Sequence, residues 1–180
     1  MHFPHVHSTP ERFLLIALVV FPLVLLYNAF KLGKLSRAKY NFLRLVLLLA
    51  VIAVFALQNA SLQKDKAALC DWLGEMSVVS TDANDWYAGR KITLSDEQSD
   101  ALLDALQGLS TESFSTGDGL GGTGDVAVFF RTADGEELLL KQSGNTVHFT
   151  FDEETAALFG ERNFQTDDGA LLDAFFDLVD

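Results

Sequence analysis

Two long apolar runs dominate the hydrophobic pattern of the chain, at residues 13–30 and 42–60, and the basic segment 31–41 separates them. Each run is long enough to cross a hydrocarbon core of about 30 Å as a helix that rises about 1.5 Å per residue. Neither run has a polar face, which disfavours a core helix of a soluble protein. The pattern therefore predicts a two-helix transmembrane hairpin, preceded by a short tail at residues 1–12.

The charges around these runs predict an orientation. Five basic residues and no acidic one lie between the runs and at the start of the second run, namely Lys31, Lys34, Arg37, Lys39 and Arg44. Short loops with such an excess of Lys and Arg stay in the cytoplasm. We therefore expect the connector 31–41 to be cytoplasmic, and both termini and residues 64–180 to be extracytoplasmic. Cleavage of the second run near Ala56 stays an alternative, because Val54-Phe55-Ala56 resembles a signal-peptidase site.

Residues 64–180 alternate between helical and extended patterns. The sequence Ser95-Asp96-Glu97-Gln98 is a capping box that opens a helix, and Gly108 ends this helix. Apolar residues then recur with period two at 126–131, 137–141 and 146–151, with turn residues between these stretches. Three consecutive strands joined by short turns predict an antiparallel meander.

The end of the chain returns to helical patterns. Asp152 caps a helix that runs to Leu158, and a last helix spans Asp167–Val179. These elements predict an α+β domain in which helices pack on one face of a three- to four-stranded antiparallel meander.

The charge distribution and the cysteine content exclude some kinds of ligand and of covalent cross-link. Residues 64–180 contain 24 of the 25 acidic residues but seven of the 13 basic ones, which gives this region a net charge of −17. A field of that sign repels phosphate backbones, so we predict that no nucleic acid binds. Cys70 is the single cysteine of the sequence, so no disulfide can form within the chain.

A polar, glycine-rich segment at 110–124 is the candidate contact loop. Its glycines at positions 117, 119 and 122 have the spacing of a dinucleotide fingerprint, but that motif follows a strand and opens a helix, whereas this segment precedes a strand. We therefore predict neither a nucleotide nor another cofactor, and a weak cation site at the acidic loops stays an alternative. Long loops without secondary structure are uncommon unless they are functional or disordered. The candidate contact residues are Phe114, Asp118, Leu120 and Asp125.

No residue set in the sequence requires a particular chemistry. His148 lies on the more polar face of a predicted strand without a second histidine or a cysteine nearby, so we predict no catalytic residue and no metal ligand. The leading hypothesis is a non-enzymatic, membrane-anchored extracytoplasmic module that binds a protein or envelope component or serves as an accessory subunit. The alternative is a cell-envelope hydrolase that uses carboxylates assembled by the fold.

Overall fold

The computed structural model describes residues 21–33, 35–86, 88–117, 126–160 and 162–178. These residues belong to two compact units that divide between Leu62 and Gln63. The first unit is helical, and the second contains the sheet and the remaining helices.

The helical unit corrects the predicted two-helix transmembrane hairpin. Helix α1 is described over residues 21–31, and helix α2 spans Arg37–Glu75. The eleven described residues of α1 span about 16 Å, which is shorter than a membrane crossing. Residues 13–20 of the first predicted span lie outside the described residues. Among the described residues, α2 is the one helix long and apolar enough to cross a membrane, and none of its apolar window is buried. This exposed apolar surface is consistent with membrane association.

The second unit is built on one antiparallel sheet of seven strands in the order β2-β1-β4-β5-β6-β7-β3. The strands are β1 Val78–Asp85, β2 Arg90–Ile92, β3 Phe114–Thr116, β4 Val126–Thr132, β5 Glu137–Ser143, β6 Thr146–Phe151 and β7 Phe164–Thr166. The predicted meander of three consecutive strands is confirmed as β4–β5–β6. The predicted size of three to four strands is wrong, because β1, β2, β3 and β7 extend this meander on both sides.

Three short helices complete the unit, and the class is α+β as predicted. They are α3 Asp96–Gln107, α4 Glu153–Leu158 and α5 Gly169–Phe176. The predicted capping box of α3 is confirmed, since the Gln98 N–H donates to Ser95 Oγ at 3.1 Å and the Ser95 N–H donates to Gln98 Oε1 at 3.1 Å. Asp152 also caps α4 as predicted, by accepting from the Thr155 N–H at 2.9 Å.

Alternate residues of the central strands form the core. Val128, Leu140 and Phe149 lie in register across β4, β5 and β6, and each is 3% exposed or less. The last turns of α2 belong to the same core, because Leu69 and Leu73 are 0% and 1% exposed. Helices α4 and α5 contact β6, so the helices lie on the face of the sheet that carries these apolar side chains.

Trp72 connects the end of α2 to the sheet through contacts of its apolar ring and a hydrogen bond from its N–H. The ring meets Phe151 edge-on with the centroids 5.8 Å apart, and the indole N–H donates to Glu136 Oε2 at 2.9 Å. A partly buried indole such as that of Trp72 is stabilised when its N–H donates to such an acceptor. About two turns earlier on α2, Asp65 accepts from Arg162 Nε at 2.5 Å.

Candidate functional site

The face of the sheet opposite the helices presents two rows of side chains that pair across the strands. Because successive residues of a strand point to opposite faces, these rows lie on the face opposite Val128, Leu140 and Phe149. One row is Asp82, Phe129, Leu139 and Thr150, and the neighbouring row is Asn84, Ala127, Lys141, His148 and Gln165. We call the surface formed by these two rows the open face.

A depression of about 300 Å³ lies on the open face over strands β1, β4 and β5. Phe129 is half-buried in its lining, and the neighbouring Leu139 is 5% exposed. Two ion pairs flank these apolar side chains: Lys91 Nζ lies 2.6 Å from Asp82 Oδ1, and an Arg131 guanidinium nitrogen lies 2.9 Å from Glu137 Oε1. An apolar centre with a polar, solvent-accessible rim is the usual anatomy of a protein-binding surface.

The ion pair at the β1 side of the depression is well solvated. The hydrogen bond from Lys91 and the positive charge of Lys91 lower the pKa of Asp82, and Arg131 adds a smaller effect in the same direction. Asp82 therefore stays ionised at neutral pH. Both side chains are more than half exposed, so this ion pair contributes little to the free energy of folding. It places one positive and one negative charge at the rim of the depression.

His148 lies in the second row of the open face, directly opposite Lys141. Burial lowers the pKa of His148, and the positive charge of Lys141 lowers it further. The imidazole is therefore neutral at neutral pH. The Lys141 Nζ also lies 5.9 Å from the centroid of the exposed Trp86 ring, which is within the range of a cation–π contact.

Among the described residues, no carboxylate lines the small cleft beside His148. The small cleft beside His148 is lined by Gly117, Lys141, Phe149, Thr150, Asn163, Phe164 and Gln165. Among the described residues, no three His, Cys, Asp or Glu side chains lie close enough together to hold a metal ion.

A second concave surface lies between β1 and α3, and we call it the edge groove. Its volume is about 520 Å³. Residues Val78–Thr81 form one wall, and the first turns of α3, with Asp96, Ser99, Asp100 and Leu103, form the other. Leu94 and Phe130 also line it. The edge groove therefore combines a strand edge, apolar side chains and two carboxylates.

The structure describes one of the four predicted contact residues, Phe114. Phe114 lies in β3 and is 2% exposed, with its ring 5.3 Å from Phe149 and 5.9 Å from Phe164 between centroids. It is a core residue of the domain. Asp118, Leu120 and Asp125 lie outside the described residues, and their contact role stays a prediction.

The residues of the open face and of the edge groove were not singled out from the sequence. Phe129, Asp82 and Arg131 occupy strands with mixed polar and apolar side chains, and their proximity depends on the pairing of β1 with β4. The alternation in β4 was the one available signal, since it places Phe129 and Arg131 on the face opposite Val128 and Phe130.

Comparisons with known proteins add one structural neighbour. No protein-family model matches the chain, and no curated protein matches it. A crystal structure described as that of a "Putative Lipoprotein from Clostridium perfringens" is similar to 62% of this chain and 89% of its own chain, with 11% sequence identity and a TM-score of 0.45.

Proposed function

We propose that this protein is a membrane-tethered, extracytoplasmic module that binds a protein or envelope component through the open face of its sheet. The observation that carries the proposal is the depression around Phe129 and Leu139, with its flanking ion pairs Lys91–Asp82 and Arg131–Glu137. Apolar side chains at the centre of such a surface supply most of the binding energy, and the rim excludes water.

The tether is α2, with its apolar part in the lipid bilayer. The basic residues Arg37, Lys39 and Arg44 at its start favour a cytoplasmic position for that end. The acidic domain beyond residue 64 then lies outside the cytoplasm. Its net charge of −17 favours partners with basic surfaces and disfavours nucleic acids and nucleotides.

Co-purification from native membranes in mild detergent tests this proposal. The wild-type chain should capture a stoichiometric partner, and Phe129→Thr should reduce the captured amount at least tenfold, because the substitution removes the apolar centre but keeps a residue that favours strands. The matched control is Phe176→Thr, which alters an exposed phenylalanine of α5 outside the site. Unchanged capture by a folded Phe129→Thr variant, or no partner for the wild type, would refute the proposal.

A further inference from the structure

The outer edge of β1 is open over half of its length. Strand β2 pairs with Ala83, Asn84 and Asp85, whereas β4 pairs with β1 from Val78 to Asp85 on its other side, apart from a bulge at Val79. After Ile92 the chain leaves the sheet and enters α3. Within the described part of the chain, no strand pairs with the outer edge of Val78–Asp82, which spans about 17 Å at about 3.4 Å per residue.

The register of the sheet identifies the backbone groups at this edge. The Thr132 N–H donates to the Glu136 carbonyl at 3.0 Å, so the even-numbered residues of β4 bond to β5 and the odd-numbered ones bond to β1. Phe129 pairs with Asp82, and Arg131 pairs with Ser80. The N–H and C=O groups of Thr81 between them therefore point away from β4, toward the edge groove.

The edge groove provides space and side chains for a strand at this position. Its volume of about 520 Å³ lies directly beside Val78–Thr81, and Leu103 and Phe130 give it an apolar lining. Val79 sits at a bulge of β1 and is 62% exposed, so it adds apolar surface at one end. A strand edge beside a helix is the geometry in which extended peptides bind by adding a strand to a sheet.

The negative charge of the edge groove favours a partner with basic side chains. Asp96 and Asp100 lie one turn apart on α3 and both line the edge groove. Neither carboxylate has a cationic partner among the described residues. A second copy of this chain would bring the same carboxylates and the same net charge of −17 to the contact, and like charges at an interface are repulsive.

We propose that the free edge of β1 captures an extended, lysine- or arginine-bearing peptide segment of a partner protein, which adds a strand to the sheet within the edge groove. This inference rests on the proposed binding function and names the chemistry of its partner. The backbone groups of Thr81 supply main-chain hydrogen bonds, and Asp96 and Asp100 meet the basic side chains of the peptide. The added strand extends the open face beyond Asp82.

The test uses the full chain in detergent micelles and a fluorescent probe, the acetylated peptide Lys-Val-Lys-Val-Lys-Val amide. A Glu-Val peptide of the same length is the charge control, and a Lys-Val peptide with alternate backbone amides methylated is the hydrogen-bond control. The Lys-Val probe should bind at least tenfold more tightly than the Glu-Val peptide. Methylation should weaken binding about fivefold or more, because each main-chain hydrogen bond contributes to affinity.

Substitutions in the protein test whether the probe binds at the edge of β1. Thr81→Pro removes the outward N–H without a loss in the β4 ladder, since proline is tolerated on edge strands, and it should weaken probe binding about fivefold or more. Asp100→Asn should weaken binding about two- to fivefold at low salt, while the matched control Asp104→Asn, an exposed position of the same helix that does not line the edge groove, should leave it unchanged.

Several results would overturn the inference. Equal binding of the methylated and unmethylated probes would do so even if Thr81→Pro failed to fold. So would wild-type affinity in a folded Thr81→Pro variant, or sedimentation that shows a wild-type dimer lost in Thr81→Pro, because the occupant would then be a second copy. If the Thr81→Pro variant lost the probe but still captured the native partner, the partner would bind without using the edge of β1. That result would refute the edge inference and leave the proposed function intact.

Discussion

Asp152 combines two structural roles in one carboxylate. It caps α4 by accepting from the Thr155 N–H and hydroxyl at 2.9 and 2.8 Å, and it accepts from the Glu137 N–H at 3.0 Å at the start of β5. Burial raises the pKa of Asp152, but these hydrogen bonds outweigh burial, so the net pKa lies below its ordinary value. One side chain therefore joins the end of the meander to the helix that follows it.

Replacement of Asp152 should reveal both roles. We expect Asp152→Ala to lower the free energy of unfolding by about 1–2 kcal/mol at pH 7, since the helix cap and a buried donor both lose their acceptor. Asp152→Asn should cost less, because asparagine also caps helices. Urea denaturation at pH 7 measures both, with the exposed Glu153→Gln as the control.

The stabilisation that Asp152 provides should decrease at acidic pH. The folded pKa of Asp152 is lower than the unfolded value of about 3.9, so the unfolded state binds the proton more tightly. The stabilisation by Asp152 is therefore complete above about pH 4–5 and is lost as the pH falls through the folded pKa. The difference in unfolding free energy between wild type and Asp152→Asn should shrink in that acidic range. A constant difference down to pH 2 would contradict this assignment.

At the scale of elements, α2 changes its environment along its length. Leu57 is 72% exposed, whereas Leu69 is fully buried in the core of the second unit. We expect Leu69→Ala to lower the free energy of unfolding of that unit by about 2–5 kcal/mol, because it removes buried methyl groups and leaves a cavity. The midpoint of thermal unfolding should fall by about 10 °C or more.

Leu57→Ala on the same helix is the matched control for Leu69→Ala. It exchanges the same side chains at a position without core contacts, so the unfolding midpoint of the second unit should stay within about 2 °C of wild type. Tryptophan fluorescence of the full chain in detergent reports this transition, since Trp72 lies against Phe151 and Phe159. Equal effects of the two substitutions would show that the last turns of α2 do not belong to the cooperative unit.

At the scale of the whole molecule, the orientation of α2 decides which compartment the open face meets. In a Cys70→Ser background, we expect Asp134→Cys, in the exposed turn between β4 and β5, to react with a membrane-impermeant thiol reagent in intact cells. Ser36→Cys, beside the basic start of α2, should react only after the membrane is permeabilised. The reverse pattern would place the domain in the cytoplasm and remove the extracytoplasmic part of the proposed function.

The sequence by itself determined the features whose signals are local. The apolar run of α2, the capping box at Ser95 and the N-cap at Asp152 each depend on residues within a few positions of one another, and the structure contains all three. The alternation of β4, β5 and β6 was readable for the same reason, because a face of a strand repeats every second residue and short turns fix the pairing.

Only the tertiary structure decided the full extent of the sheet and the surfaces on it. Strand β1, with the polar sequence VVSTDAND, has no apolar alternation, and it becomes a strand because β4 offers a complete partner. Strands β3 and β7 are three residues each, and the paired residues are 48 to 52 positions apart in the sequence, so their pairing leaves no local pattern. The open face and the edge groove follow from these long-range pairings, which is why the surfaces that contain Phe129 and Thr81 could be identified only from the fold.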